Sequence, residues 1–243
     1  MTKKVGLFVT CLVDLVRPQV GFAAVKLLEQ AGCEVEVPAS QTCCGQPAWN
    51  AGDNRNAAAI ARNVIDAFEG FDYVVAPSGS CAGMLGRHYP DVLKDDARYA
   101  ARAKAMAKRS HELMSFLANI CGMKAVEARC AKRVCLHDSC SSLREMGVRA
   151  EPRSLLSSVD GLELRELADP EICCGFGGLF SVKYPDISER MADDKLADAI
   201  ATGASMLVGG DLGCLLHLAG RARRKGLALE VRHAAEILAG EHE

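Results

Sequence analysis

The sequence predicts an α/β protein built twice from the same unit, with mostly parallel sheets and the two copies related by a pseudo-twofold axis. Three observations predict it. Short apolar runs of strand length alternate with segments whose apolar residues recur at helical spacing. The order strand then Cys, Cys-Cys-Gly, strand then Cys occurs once in each half. The offsets between equivalent cysteines are nearly constant: Cys140 lies 129 residues after Cys11, Cys173 lies 130 after Cys43, and Cys214 lies 133 after Cys81. Near-constant offsets mark a duplication, and repeats govern how every other segment is read.

The elements follow in order. In the first unit, expected over residues 1–125, Val5–Val9 reads as a buried strand and Val16–Gln30 as a helix stopped by Gly32. Glu34–Val37 reads as a strand and Asn54–Phe68 as a helix. Tyr73–Ala76 is a continuous apolar run of strand length, which suits a parallel strand covered on both faces. Asp95–Leu117 reads as one long helix. The stretch Cys121–Cys130 has little pattern and is the expected join. In the second unit, expected over residues 126–243, strands are predicted at Arg133–Leu136, Leu162–Glu166, Met206–Val208 and Leu227–Val231. Helices are predicted at Asp186–Ala201, Leu212–Arg223 and Ala234–Ala239. Strands alternating with helices imply parallel sheets.

The formal net charge is −2, which argues against a nucleic-acid partner. The basic runs are short: Ala101–Arg109 reads as the wet face of a helix and Arg221–Lys225 as the basic last turn of another. No run of 18 apolar residues occurs, so no transmembrane segment is expected. The N-terminal stretch is too short for a signal peptide and lacks a small-residue cleavage site. A cytoplasmic protein is the expectation. Against that background twelve cysteines are anomalous. A secreted disulfide framework fits poorly with a chain this size and its ample core supply, so thiolate ligation of a metal, or redox chemistry, is the better reading.

Ligands of open parallel sheets collect at the carboxyl ends of the strands. Cys11, Cys81, Cys140 and Cys214 each follow a predicted strand, and Gly45 and Gly175 follow the cysteine pairs, where the backbone must turn tightly. Each unit can therefore gather one quartet, Cys11, Cys43, Cys44 and Cys81 in the first and Cys140, Cys173, Cys174 and Cys214 in the second. Four thiolates suit an iron–sulfur cluster or a zinc ion. Adjacent cysteines are awkward on one small ion but can ligate different irons of a cluster, which favours one or two clusters of the 4Fe–4S type, with zinc at one site as the alternative. A reactive thiol pair at Cys43–Cys44 or Cys173–Cys174 is a third option, disfavoured because vicinal disulfides are strained. Cys33, Cys121 and Cys130 read as small buried hydrophobes. Cys135, His137 and His217 stand close enough in sequence to the second quartet to contribute, and their roles stay open.

These motifs resemble the cysteine-rich CCG-domain family of iron–sulfur oxidoreductases, which includes the cysteine-rich component of heterodisulfide reductase, the iron–sulfur component of glycolate oxidase and the lactate-utilisation A proteins. The intervals flanking the pairs are 31 and 36 residues in the first unit and 32 and 39 in the second, and the resemblance spans nearly the whole chain. With no ferredoxin-like C-x2-C-x2-C-x3-C-P run, the chain is most similar to the lactate-utilisation branch. That resemblance implies an electron-transfer subunit of a three-component system oxidising L-lactate to pyruvate. It also implies two partners, a ferredoxin-type iron–sulfur protein and a third subunit. One departure stands out. Where the reductase block ends in C-x-x-C, this chain has Met84 and His217, which argues against a non-cubane cluster and for four-thiolate centres. A thiol/disulfide oxidoreductase and a zinc-binding scaffold remain the rival readings. No dinucleotide fingerprint follows any predicted strand.

Overall fold

The computed structural model describes residues 2–241. Its eight strands form two four-stranded sheets. The first holds β1 (Lys3–Leu7), β2 (Cys33–Glu36), β3 (Tyr73–Ala76) and β4 (Ser110–Glu112) in the order β2-β1-β3-β4. The second holds β5 (Arg133–His137), β6 (Glu163–Arg165), β7 (Met206–Gly209) and β8 (Glu230–His233) in the order β6-β5-β7-β8. Every pairing is parallel. The two sheets have one topology, as the duplication requires. The registers also correspond, Ala76 facing Glu112 across β3 and β4 as Gly209 faces His233 across β7 and β8.

The central strands are the most apolar because helices cover both faces. All four residues of β7 are buried, as are Val74, Val75 and Ala76 of β3. One core spans both units, joining Leu7 and Leu27 of the first to Val134, Met206 and Leu238 of the second. A second core belongs to the first unit, around Phe8, Phe68 and Leu85. A third, around Leu196, Leu207 and Leu218, takes in Val13 and Val20 from the first unit. The terminal helix Ala234–Leu238 packs on helix Gln19–Gln30. Arg17 reaches it with Nε 3.0 Å from the buried carboxylate of Glu236.

Three elements differ from the sequence expectation. The predicted long helix Asp95–Leu117 is a helix at Ala100–Arg109, then β4, then a helical turn from Leu113. Ser-His-Glu is too short and too polar to read as a strand; its pairing with β3 forms it, and Ser110 and Glu112 are buried there. The predicted helix Val16–Gln30 is two helices, Cys11–Val16 and Gln19–Gln30. Pro18 causes the break, since it has no N–H and biases Arg17 away from helical backbone. The last strand lies at Glu230–His233, not Leu227–Val231, because Met206–Gly209 sets the register. Helices Asn54–Ala67, Pro185–Ala201 and Leu212–Arg224 match within a residue or two.

Candidate metal centre

The carboxyl ends of β1, β3, β5 and β7 turn directly into helical segments, and the four strand-following cysteines sit in or beside those first turns. Each turn is capped by a small polar side chain. Thr10 Oγ1 accepts from Val13 N–H at 3.3 Å, Ser78 Oγ from Cys81 N–H at 3.3 Å, Ser139 Oγ from Ser142 N–H at 3.2 Å, and Asp211 Oδ1 from Gly213 N–H at 3.2 Å. Such side chains satisfy amide donors that a helix start leaves free. Thr10 and Ser139 are equivalent between units, as are Ser78 and Asp211. Thr10 has φ of 72°, the one positive φ outside glycine among the described residues.

The glycine after the cysteine pair in each Cys-Cys-Gly loop has the same left-handed backbone in both units. Gly45 has φ of +85° and Gly175 of +87°, in the left-handed region that glycine enters freely. A Cβ on Gly175 would lie 2.5 Å from the Ser188 carbonyl oxygen, so only glycine fits. The loops are pinned from outside. Tyr89 Oη donates to the Cys44 carbonyl at 2.9 Å, and Ser188 Oγ donates to that of Gly175 at 2.7 Å. Backbone amides point at sulfur, Gly175 N–H to Cys173 Sγ at 3.4 Å and Phe176 N–H to Cys174 Sγ at 3.5 Å.

The structure brings both quartets together. All eight cysteines, Cys11, Cys43, Cys44, Cys81, Cys140, Cys173, Cys174 and Cys214, line one cavity of about 460 Å³. Cys11 Sγ is 3.9 Å from Cys43 Sγ. Cys43 neighbours Cys44, and Cys44 neighbours Cys81. The second unit repeats the chain of contacts from Cys140 through Cys173 and Cys174 to Cys214. In each unit one member of the pair is half-buried and the other buried.

Their electrostatics follow from this crowding. Cys43 is held down at about 2 by S–H donation from Cys11 and Cys44, and Cys173 at about 2 by Cys140 and Cys174. Their donors move the opposite way: Cys11 and Cys140 are pushed well up by the hydrogen bond each gives, then by burial and the neighbouring negative charge. Cys44 and Cys174 are pushed up for the same reasons. The first quartet thus holds one thiolate readily, at Cys43; in the second Cys214 is lowered beside Cys173, by the thiol of Cys174 and by neighbouring His137, and the raised thiols resist further charge. A cation among the sulfurs reverses this, because bound metal deprotonates thiols outright. The donor set therefore fits a thiolate-ligated metal centre in each unit.

The residues whose roles the sequence left open divide. Met84 is fully buried in the first unit's core. Cys135 packs in the core with its sulfur 3.6 Å from the Met206 carbonyl. Cys33 and Cys130 belong to the core spanning both units, and half-buried Cys121 packs against it with its sulfur 3.7 Å from that of Cys33. His217 Nε2 is engaged with Ser188 Oγ at 3.2 Å. His137 faces the second quartet: a ring nitrogen and the sulfurs of Cys174 and Cys214 lie within 4.8 Å of one another.

Sequence reasoning missed Asp211. Its Oδ2 accepts from Ser78 Oγ at 3.0 Å and Ser80 N–H at 2.9 Å, tying the start of one cysteine-bearing helix to its counterpart across the pseudo-axis. Its place three residues before Cys214, as Ser78 stands before Cys81, was the available signal. Also missed were His88 of the first unit and Glu145 of the second, which line the cavity with Nε2 and Oε2 3.5 Å apart.

A duplicated parallel α/β scaffold that opens two thiol quartets into one cavity defines a class of metal-binding cysteine-rich proteins. The chain belongs to the cysteine-rich CCG-domain family, whose model matches residues 5–86 and 134–219. Lactate utilization protein A of Bacillus subtilis is 47% identical over 235 residues, covering 97% of this chain and 98% of that protein. Lactate utilization protein A 2 of Bacillus cereus is 44% identical over 236 residues, with the same coverage of each. Among solved structures, a hypothetical protein from Helicobacter pylori superposes with a TM-score of 0.70 at 9% identity, covering 99% of this chain and 49% of that one. This chain thus spans about half of that structure, and the likeness is one of fold. Among the described residues, no helix is long and apolar enough to cross a membrane.

Proposed function

We propose that this chain is the electron-relay subunit of a multi-component system that oxidises L-lactate, or a close 2-hydroxy acid, to the 2-keto acid. One iron–sulfur centre would be held by Cys11, Cys43, Cys44 and Cys81, and another by Cys140, Cys173, Cys174 and Cys214. The single observation that supports this best is the cavity shared by both quartets. Oxidising a 2-hydroxy acid releases two electrons and two protons. The two quartets, facing one cavity, would hold the centres that accept those electrons one at a time. The two protons would pass to solvent, and His88 and Glu145, 3.5 Å apart, put polar side chains on the cavity wall. Iron–sulfur centres supply the redox chemistry when bound. The chain's own part is to fix the sulfurs, aim backbone N–H groups at them and limit water, the means by which a protein sets such potentials.

The names of its relatives support the substrate class. The partners in this reading are a ferredoxin-type iron–sulfur protein and a third subunit, and the compartment is the cytoplasm. Iron and sulfide analysis of anaerobically purified protein, with spin-resonance spectra of the reduced form, tests the cofactor. Growth on L-lactate as sole carbon source after deletion tests the substrate: unimpaired growth in a strain with no other lactate dehydrogenase refutes it.

A further inference from the structure

The two quartets match in cysteine pattern and in the left-handed glycine after each pair, but their surroundings differ at an equivalent position beside them. Three residues before Cys11 stands Phe8; three residues before Cys140 stands His137. Phe8 is fully buried and packs on Phe68, ring centroids 5.6 Å apart, with nothing to offer a metal. His137 ends β5, is 2% exposed, and its ring nitrogens have no nitrogen or oxygen partner, the Cys214 thiol being the polar group beside them. Buried polar groups without partners are uncommon and call for a reason. Around His137 the reason is at hand, since one of its nitrogens, Cys174 Sγ and Cys214 Sγ form a buried triangle with sides no longer than 4.8 Å. In a tetrahedral site with metal–sulfur bonds of about 2.3 Å and metal–nitrogen bonds of about 2.0 Å, donors lie roughly 3.5–3.8 Å apart. The observed triangle is wider than such a site by at most about 1.3 Å. The unit's other imidazole near the cysteines, His217, is already engaged with Ser188.

We propose that His137 is a nitrogen ligand of the metal at the second centre, shared with Cys174 and Cys214, so that the second centre is a mixed sulfur–nitrogen site and the first is all-sulfur. A neutral imidazole adds no negative charge to the metal, and histidine ligation raises the potential of an iron–sulfur centre relative to thiolate alone. With both centres bound, the second would have the higher potential and would receive electrons from the first. This ordering rests on the electron-relay reading above; the ligation itself does not.

The test uses full-length protein purified without oxygen, once with natural histidine and once with ¹⁵N-histidine. For iron–sulfur centres, pulsed spin-resonance of the reduced protein is expected to show a directly coordinated nitrogen whose pattern changes with the label. His137→Phe, which copies the first unit's Phe8, should abolish that coupling and lower the potential of one centre only; His217→Gln should retain it. Where metal analysis finds zinc, X-ray absorption at the zinc edge reads the same imidazole. The labelled wild type decides the matter even should His137→Phe fail to fold. A weak coupling of the kind carried through a hydrogen bond, no histidine signal, or a signal that survives His137→Phe overturns the assignment. Iron and sulfide with no coordinated histidine overturns the assignment alone. Zinc bound by histidine, without iron, overturns the electron-relay reading and upholds the assignment. Protein with no metal overturns both.

Discussion

Glu112 and His233 occupy equivalent positions, each ending the last strand of its sheet, and both are buried. Burial disfavours the charged form of each, with opposite signs. It lifts the Glu112 carboxyl from 4.5 to about 7, and it lowers the His233 imidazole from 6.5 to about 4. For Glu112 the folded value is the higher one. Its contribution to stability is therefore complete below pH 4.5 and lost as pH rises through about 7. For His233 the folded value is the lower one, so its contribution is complete above pH 6.5 and lost as pH falls toward about 4. At about 1.4 kcal/mol per pKa unit, each is worth about 3 kcal/mol, and between roughly pH 4.5 and 6.5 their slopes oppose. Glu112→Gln keeps the shape and an acceptor for Ser115 N–H, which Glu112 Oε2 now holds at 3.0 Å, and removes one slope. Urea unfolding of wild type and variant across pH 4–8 measures it. The stability difference, variant minus wild type, should be near zero at pH 4 and climb by about 3 kcal/mol by pH 8. A difference that stays flat refutes the argument that this carboxyl is neutral in the fold below pH 7.

Gly175→Ala should cost more than Gly45→Ala. Both lose about 1–2 kcal/mol to a side chain in left-handed backbone, but the new Cβ at 175 also meets the Ser188 carbonyl at 2.5 Å, whereas at 45 its nearest neighbour is the end of Ile60 at 3.3 Å. Equal urea midpoints would contradict this. Asp211→Ala strands the Ser78 hydroxyl and Ser80 amide and should destabilise by about 3 kcal/mol, against about 1 kcal/mol for Ser78→Ala; a smaller loss for Asp211→Ala would show that the tie across the pseudo-axis is weak. Cys43→Ser and Cys173→Ser should each lower bound metal by about half, as metal analysis would register, if each quartet loads independently; loss of all metal in either variant would mean the centres assemble together.

Much of this protein is written in residue order. The near-constant offsets from Cys11 to Cys140 and from Cys81 to Cys214 reveal the duplication, because two copies of one chain segment repeat their local chemistry whatever they pack against. The runs Tyr73–Ala76 and Met206–Val208 declare buried parallel strands, since a strand covered on both faces must be apolar throughout. Helices such as Asn54–Ala67 reveal themselves by period and caps, which are local properties. What residue order could not show depends on partners distant in the chain. Ser110–Glu112 is a strand only because β3 offers it hydrogen bonds, and Glu112 is uncharged over part of the pH range only because the fold buries it. Spacing predicts two quartets, but that both open into one cavity depends on how the two units dock. The contrast between Phe8 and His137 was visible as letters. It gained meaning only when the end of β5 was found beside Cys174 and Cys214, because short-range donor geometry is a property of packing, not of sequence separation.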